Sequence, residues 1–191
     1  MKLVVVGGVA GGMSAAARAR RLDESAEIII LDRGEHVSFA NCGLPYFVGG
    51  EIENQQSLLV QTPASLKAAL NLDVRVRHDV TAVNTEARTV TVSTDAGTEQ
   101  ISYDALILSP GALAIRPPLP GIDLPGIFQL RTVPDARAIR EWIEKGSEFL
   151  AGMSRYSGFQ TVRPKTRAVV VGGGFIGVET AENLIHRGFE V

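Results

Sequence analysis

The sequence predicts an α/β fold with one complete Rossmann-like domain and the start of a second, because a strand, a glycine-rich turn and a helix occur twice. The first copy joins the apolar residues 3–6 to the turn 7–12. The second copy joins residues 168–171 to the turn 172–177. This order presents backbone N–H groups and a helix N-terminus to a pyrophosphate. Two copies predict two dinucleotides, and hence electron transfer between them.

The first copy continues into a complete nucleotide-binding motif. Lys2–Val6 is a short β-branched run typical of a buried parallel strand, and Gly11–Leu22 is rich in the helix formers Ala and Arg. A second apolar run, 27–31, ends at Asp32. An acid that follows the glycines at this spacing is expected to contact a ribose.

The residues between the two copies predict two helices and a β-rich segment. Helices are expected at 42–49 and at Pro63–Leu70, which has proline in its first turn. Strands are expected within 73–108, where alternation at 89–93 indicates one solvated face. A segment rich in proline and glycine, 114–126, indicates a crossover at a domain boundary.

The second copy is incomplete. Before it, a helix is expected at 135–144, and no periodicity is visible over 145–165. The second copy itself predicts a helix at 175–186 and the start of a strand at 189–191. Without its second strand the motif cannot cover its own helix, so we expect an N-terminal piece of a longer protein. The predicted domains are 1–113, a crossover and linker at 114–166, and the truncated second domain at 167–191.

Composition limits the partners and the compartment. The chain has 191 residues, 45% of them hydrophobic, and a net charge of −2 without a basic stripe, so no nucleic-acid partner is expected. A single cysteine cannot form an intramolecular disulfide, and we expect a cytoplasmic protein. The uncharged start is similar to a secretory signal, but four glycines within 7–12 interrupt the helical core that a signal needs. No membrane span and no metal-binding arrangement of His36, His78 and His186 is visible.

Cys42 is the candidate nucleophile. It lies within residues 37–46, shortly after the second strand, and is expected to open a helix, whose N–H groups stabilise a thiolate. In a nucleotide-binding fold that edge of the sheet faces the ligand. The alternative is that Cys42 is a small buried hydrophobic residue, as free cysteines often are.

Three segments carry a resemblance to a known family: residues 38–46, 7–12 and 20–24. The chain closely resembles the single-cysteine branch of the flavin- and pyridine-nucleotide-linked disulfide reductases, and within it the coenzyme A-disulfide reductases. The resemblance implies an FAD-binding domain with an inserted β-meander, followed by the start of an NAD(P)-binding domain. It also implies a homodimer for the full-length protein. Electrons would pass from NAD(P)H through FAD to a disulfide between Cys42 and coenzyme A.

The resemblance also assigns the cofactor-binding residues, which come from both glycine turns and from the strand ends near them. For FAD they are Gly7, Gly8, Val9, Ala10, Gly11, Gly12, Asp32, Arg33, Val80, Ser109, Pro110, Gly111 and Arg131. From the second glycine turn and its helix they are Gly172, Gly174, Phe175, Gly177 and Glu179. Phe175 would be the aromatic residue that gates the nicotinamide, and Glu179 an acid near the flavin.

The substrate-binding residues follow in the same way. Asn41 and Ser38 would flank the sulfur and the substrate, and the alternative for both is an ordinary turn or capping role. Ser14, Arg18 and Arg21 share one face of the first helix, and the resemblance assigns them to the phosphorylated end of coenzyme A. The alternative for these three is a solvated helix face.

Several functions stay open at this point. An NADH oxidase or peroxidase of the same branch would use Cys42 as a sulfenic acid, and a persulfide reductase would use it to attack a sulfane sulfur. The 191-residue chain by itself is also compatible with a catalytically silent nucleotide-binding fragment.

Overall fold

The computed structural model describes residues 1–156 and 166–191, and the side chains outside 147–165. These residues form two compact units, Met1–Phe39 with Leu59–Ala112 and Ala40–Leu58 with Leu113–Val191, called below the first and second compact units. The first compact unit contains β1 (Lys2–Val6), α1 (Gly11–Leu22), β2 (Glu27–Asp32), α3 (Pro63–Leu70), β3 (Asp73–Val76), β4 (Asp79–Asn84), β5 (Thr89–Thr94), β6 (Gly97–Ser102) and β7 (Ala105–Leu108). The second contains α2 (Leu44–Gly49), α4 (Val133–Tyr156) and α5 (Phe175–His186).

The first compact unit is built on a four-stranded parallel sheet in the order β3-β2-β1-β7. In the register of the central strands Val4 pairs with Ile29 and Val5 with Ile30. The strand order places β1 between β2 and β7, so the glycine turn that follows β1 lies at the carboxyl edge of the sheet. This is the arrangement expected from the first copy of the motif, and the predicted α/β Rossmann-like fold is confirmed.

One face of the parallel sheet is covered by helices. Val5 and Ile30 belong to a buried cluster with Met13 and Ala16 of α1 and with Leu66 of α3. Each fully buried Val or Ile side chain contributes about 1.5–3 kcal/mol relative to exposure. The helix α1, which carries the first glycine turn at its start, is therefore held on the sheet by apolar packing.

The opposite face of the parallel sheet is covered by the predicted β-meander. Strands β4, β5 and β6 form a separate antiparallel sheet, and Val90 and Val92 of β5 pack against Val4, Ile29 and Leu31. Both faces of the parallel strands are buried, which explains their continuous apolar runs. Strand β4 was not singled out from the sequence because its alternation of polar and apolar residues is short and most of its side chains are exposed.

A buried arginine ties α1 to the segment after α3. Arg20 is 8% exposed, and its guanidinium donates to the carbonyl oxygens of Leu70 (2.8 Å), Asn71 (3.0 Å) and Glu24 (2.7 Å). Sequence reasoning did not identify this role, because a run of basic residues on a helix is typical of a solvated face. The arrangement fixes the orientation of α1 within the first compact unit.

In the second compact unit the helix α2 packs against both α4 and α5. Helix α4 runs from Val133 to Tyr156, well past the expected end at Glu144, and the rest of the segment without periodicity, 157–165, lies outside the described residues. Among the described helices, none is both long enough and apolar enough to cross a bilayer.

The second predicted motif forms its turn and helix but not its strands. Residues 168–171 are not a strand, and in the described part of the chain the sheet pairing here is one parallel bridge between Arg167 and Glu190. Val169 and Val171 are 89% and 93% exposed. A parallel strand needs a neighbour along its length to pair its backbone groups, and a single bridge does not supply one.

Candidate functional site

The first glycine turn is shaped by close backbone contacts that exclude side chains. Gly7 has a φ of +97° and its N–H donates to the carbonyl oxygen of Leu31 at 2.8 Å. A Cβ on Gly7 would run into the carbonyl oxygen of Ser109, and a Cβ on Gly12 would run into that of Gly7. The turn therefore needs glycine for its conformation at one position and for close approach at the other.

Asp32 holds this turn against the end of β2. Its Oδ2 accepts from the Gly8 N–H at 2.7 Å, and its Oδ1 accepts from the Gly34 N–H at 2.7 Å. A carboxylate has about four lone-pair positions, so Asp32 can still accept hydrogen bonds from a ribose. The structure thus adds an architectural contact to the binding role that the sequence predicts.

The start of α1 is open to an anion. Ala10 precedes the helix without a side-chain cap, and the first turn contains no acidic residue. The N–H groups of this turn are therefore not used by capping side chains, and they carry the positive end of the helix dipole. Together with the side-chain-free cradle at Gly7 and Gly12, this arrangement fits a dinucleotide pyrophosphate.

The predicted residues after β7 lie beside the same turn. The Ser109 N–H donates to the Val6 carbonyl oxygen at 2.8 Å, and Ser109 Oγ lies 2.5 Å from where a Cβ on Gly11 would be. Pro110 is exposed and Gly111 has a φ of +71°. Ser109 therefore lies beside the glycine turn. Val9 and Ala10, which belong to that turn, are at least partly exposed.

Two further residues predicted to contact the adenosine end differ in exposure. Arg33, next to Asp32, is exposed, whereas Val80 of β4 packs at the edge of the cluster between the two sheets.

Arg131 belongs to the second compact unit, where its backbone N–H donates to Asp135 Oδ2 at 3.1 Å at the start of α4.

The residues predicted to bind the substrate phosphates share an exposed face of α1. Ser14, Arg18 and Arg21 are all exposed, in contrast to Arg20, whose guanidinium is fully engaged. Within the described part of the chain no ion pair involves Arg18 or Arg21. Both guanidinium groups are therefore available to an anionic ligand.

Ser38 is attached to the first glycine turn by its backbone. Its N–H donates to the Gly8 carbonyl oxygen at 2.8 Å, and its own carbonyl accepts from the Val60 N–H at 2.9 Å. Ser38 has a φ of +48°, the left-handed region that non-glycine residues rarely adopt. Strained backbone of this kind is concentrated at functional sites.

Cys42 is exposed, so the alternative of a buried hydrophobic cysteine is wrong. It lies with Asn41, also exposed, in a 3₁₀ turn at Asn41–Gly43. The predicted helix start at Cys42 is corrected, since the α-helix begins at Leu44, whose N–H donates to the Asn41 carbonyl. The reason is local: Pro45 lacks an N–H and fits only the first turn of the α-helix.

The second glycine turn repeats the geometry of the first. Gly172 has a φ of +118°, and a Cβ on Gly177 would run into the Gly172 carbonyl oxygen. Gly174 precedes α5 without a side-chain cap, and the first turn of α5 contains no acid. This turn therefore also fits a pyrophosphate. Phe175 at the start of α5 is 91% exposed.

Glu179 of α5 influences a tyrosine that sequence reasoning missed. The carboxylate of Glu179 raises the pKa of the Tyr46 phenol above its ordinary value, and burial and the carboxylates of Glu182 and Glu51 act in the same direction. Cys42 adds a smaller contribution of the same sign. An available signal was the position of Tyr46 in residues 37–46, the same segment that contains Cys42.

Two other features do not involve the predicted residues. A groove on the first compact unit is lined by residues 76–78 and 94–99, at the hairpin between β5 and β6. Among the residues that the structure describes, no group of three or more His, Cys, Asp or Glu side chains is placed to hold a metal ion.

Comparison with known proteins assigns the family. A model described as pyridine nucleotide-disulphide oxidoreductase matches residues 1–191. The chain belongs to this family. This pyridine nucleotide-disulphide oxidoreductase is 39% identical over 192 residues to the coenzyme A disulfide reductase of Staphylococcus haemolyticus, and the alignment covers 100% of the chain. The resemblance inferred from the cysteine and glycine motifs is confirmed.

Solved structures of this oxidoreductase family have the same fold. The reduced Bacillus anthracis CoADR-RHD is 47% identical, with a TM-score of 0.87 over 99% of the chain. An NAD-dependent persulfide reductase from A. fulgidus is 34% identical, with a TM-score of 0.86 over 100% of the chain. The chain spans 39% of the length of the Staphylococcus haemolyticus relative, and 31% and 32% of these two structures.

Proposed function

We propose that the full-length protein is an FAD-dependent NAD(P)H:disulfide oxidoreductase that reduces coenzyme A disulfide at Cys42. The observation that carries the proposal is the exposed thiol of the one cysteine in the chain, in a family named for disulfide reduction. The name of the Staphylococcus haemolyticus relative supports coenzyme A as the thiol. We further propose that the protein is cytoplasmic, since a free thiol is kept reduced there, and that the full-length protein is a homodimer, as the family resemblance implies.

The reaction on the thiol needs no second cysteine of the protein. The Cys42 thiolate attacks one sulfur of the substrate disulfide, the S–S bond breaks, and one coenzyme A leaves as its thiolate. Cys42 and the other coenzyme A then share a mixed disulfide. A bound FAD would supply the two electrons, taken from NAD(P)H, that reduce this mixed disulfide and release the second thiol.

The other residues bind and orient. The turn at Gly7–Gly12 and the N-terminus of α1 would hold the FAD pyrophosphate, and Asp32 would accept from its ribose. The turn at Gly172–Gly177 would hold NAD(P)H in the same manner. Arg18 and Arg21 would bind the phosphates of coenzyme A through charge-assisted hydrogen bonds, which suits their exposed position on α1. Ser38 and Asn41 would flank the reacting sulfur.

Replacing the sulfur tests the proposal. The full-length Cys42→Ser enzyme is expected to keep its bound FAD and its reduction by NAD(P)H, but to lose NAD(P)H-dependent reduction of coenzyme A disulfide. Reduction at the wild-type rate by Cys42→Ser would contradict the proposal. The 191-residue chain by itself is expected to bind FAD weakly and not to turn over.

The second candidate is persulfide reduction. It is favoured by the likeness to the A. fulgidus persulfide reductase. Assaying the wild-type enzyme with coenzyme A disulfide, persulfide, peroxide and oxygen separates the candidates, including an oxidase or peroxidase. Turnover with persulfide but not with coenzyme A disulfide would favour the second candidate, and turnover with oxygen only would remove both.

A further inference from the structure

Two arginines donate hydrogen bonds to helix α2, which follows Cys42, and to the short segment after it. Arg187, just after α5, donates from Nη1 to the Val48 carbonyl oxygen at 2.7 Å. Arg140 of α4 donates from Nη1 to the carbonyl oxygens of Ile52 (3.0 Å) and Glu53 (2.8 Å). The Val48 carbonyl lies in the last turn of α2, where carbonyl groups lack intrahelical partners and favour cations, whereas Ile52 and Glu53 lie in the segment after the helix.

A single carboxylate joins the two arginines. Glu144 Oε1 lies 2.9 Å from Arg140 Nε and 3.4 Å from Arg187 Nη2. The hydrogen bond from Arg140 lowers the pKa of Glu144, and Arg187 acts in the same direction. We call Arg140, Glu144 and Arg187 the clamp. It links α4, α5 and the end of α2 within the second compact unit.

A chain of contacts leads from the clamp back to Cys42. The side chain of Ile52, whose carbonyl accepts from Arg140, has its Cδ1 3.2 Å from where a Cβ on Gly43 would be. Gly43 directly follows Cys42, and its N–H donates to the Ala40 carbonyl at 3.0 Å. The guanidinium of Arg140 also lies 4.6 Å from the centre of the Phe47 ring. These contacts connect the clamp to the backbone beside the thiol.

The rest of α2 leaves little room for independent movement. A Cβ on Gly49 would run into the side chain of Asn183, which is 4% exposed and donates to the Glu179 carbonyl at 2.9 Å. The 3₁₀ turn that carries Cys42 runs into α2 without a break. A segment so short has few internal hydrogen bonds, and its position depends on its neighbours.

We propose that the clamp formed by Arg140, Glu144 and Arg187 positions Cys42 for reaction with the substrate disulfide. The clamp residues are positioning residues, since they act through α2 and residues 52–53. The proposal rests on the proposed function, in which Cys42 is the reacting thiol. The residues that position the thiol then belong to α4 and to the end of α5, and not to the segment that carries Cys42.

The test measures the thiol directly, in the full-length enzyme. The rate constant of reduced Cys42 with a small aromatic disulfide, dithiodipyridine, is measured across pH for wild type, Glu144→Ala, Glu144→Gln and the control Glu141→Ala. Glu141 is exposed on the same helix and makes no ion pair within the described residues. Removing a partly exposed ionic link is expected to slow the reaction about threefold to fivefold in Glu144→Ala. Glu144→Gln, which keeps an acceptor, recovers part of the rate, and Glu141→Ala matches wild type.

A second readout separates positioning from overall stability. In Glu144→Ala, kcat for coenzyme A disulfide is expected to fall in parallel with the thiol rate, while reduction of the enzyme by NAD(P)H is unchanged. A thiol rate within about twofold of wild type overturns the proposal, even if the melting temperature has dropped. If Glu144→Ala yields no folded protein, Arg187→Met, which removes the other end of the clamp, is judged by the same limit. The proposed function fails separately, through disulfide reduction by Cys42→Ser.

Discussion

Replacing Arg20 by Met is expected to loosen α1 and to weaken the whole protein. Met keeps an unbranched apolar stem of similar length but removes every donor. The carbonyl oxygens of Leu70, Asn71 and Glu24 then lose the charged groups that now lie 2.7–3.0 Å away. Because Arg20 is 8% exposed, water replaces these donors incompletely.

The expected loss is worked from these three bonds. A hydrogen bond to a charged donor contributes about 1.5–3 kcal/mol, so simple addition would give about 5–9 kcal/mol. Asn71 and Glu24 are exposed residues whose carbonyls partly rehydrate, and the folded state no longer buries a charge. We therefore expect a loss of about 2–4 kcal/mol in the free energy of unfolding.

Urea unfolding followed by circular dichroism measures this loss, with Arg21→Met as the matched control. Arg21 is the next residue and is exposed, so its replacement is expected to change stability by less than about 0.5 kcal/mol. Hydrogen exchange of the α1 amides shows whether the loss is local to that helix. If Arg20→Met and Arg21→Met unfold at the same urea concentration, the structural role assigned to Arg20 is refuted.

Three further predictions concern the glycine turns and the titrating groups. Gly12→Ala is expected to weaken FAD binding at least about tenfold, because the added methyl group would clash with a carbonyl oxygen of the turn. Gly177→Ala is expected to weaken NAD(P)H binding for the same reason and to leave FAD bound. Flavin absorbance measures the bound FAD, and titration with the nucleotide measures NAD(P)H binding. The free energy of unfolding should decline as pH falls below about 4.5. The pKa of Glu144 is lower in the folded protein than in the unfolded chain, so its carboxylate stabilises the fold above the unfolded-state pKa, and this stability is lost when Glu144 is protonated. The same pH slope in Glu144→Gln as in wild type would contradict this. Glu179→Gln should bring the pKa of Tyr46 down towards 10.0, measured as tyrosinate absorbance against Tyr46→Phe, and an identical titration would rule out the coupling.

Predictions based on contiguous residues agree best with the structure. Lys2–Val6 and Gly11–Leu22 were expected with the bounds that the structure has, because a continuous apolar run and a run of helix formers each express a local preference. Strands within 73–108 were expected from the residue pattern, apart from the exposed strand β4, and the family resemblance implied that they form a β-meander. Residues 168–171 have the same apolar pattern as β1 but form no strand, since pairing depends on a neighbour that their own sequence does not contain.

The same distinction, between what neighbouring residues predict and what depends on distant segments, applies to the candidate site. Glycine spacing and the motif around Cys42 identified the two turns and the thiol, because close backbone approach and nucleophilic sulfur each require a particular residue type. Packing between distant segments decided that Arg20 is buried while Arg18 and Arg21 are exposed, and that Arg140 and Arg187 meet at Glu144.

The sequence by itself determined which residues can make a glycine turn, a parallel strand and a reactive thiol, since these depend on backbone sterics and side-chain chemistry within a few positions. Only the tertiary structure decided which charges bind carbonyl groups and which remain available to a ligand. The physical reason is that burial and hydrogen-bond partners come from segments far apart in the chain, as the 50 residues between Arg20 and Leu70 illustrate.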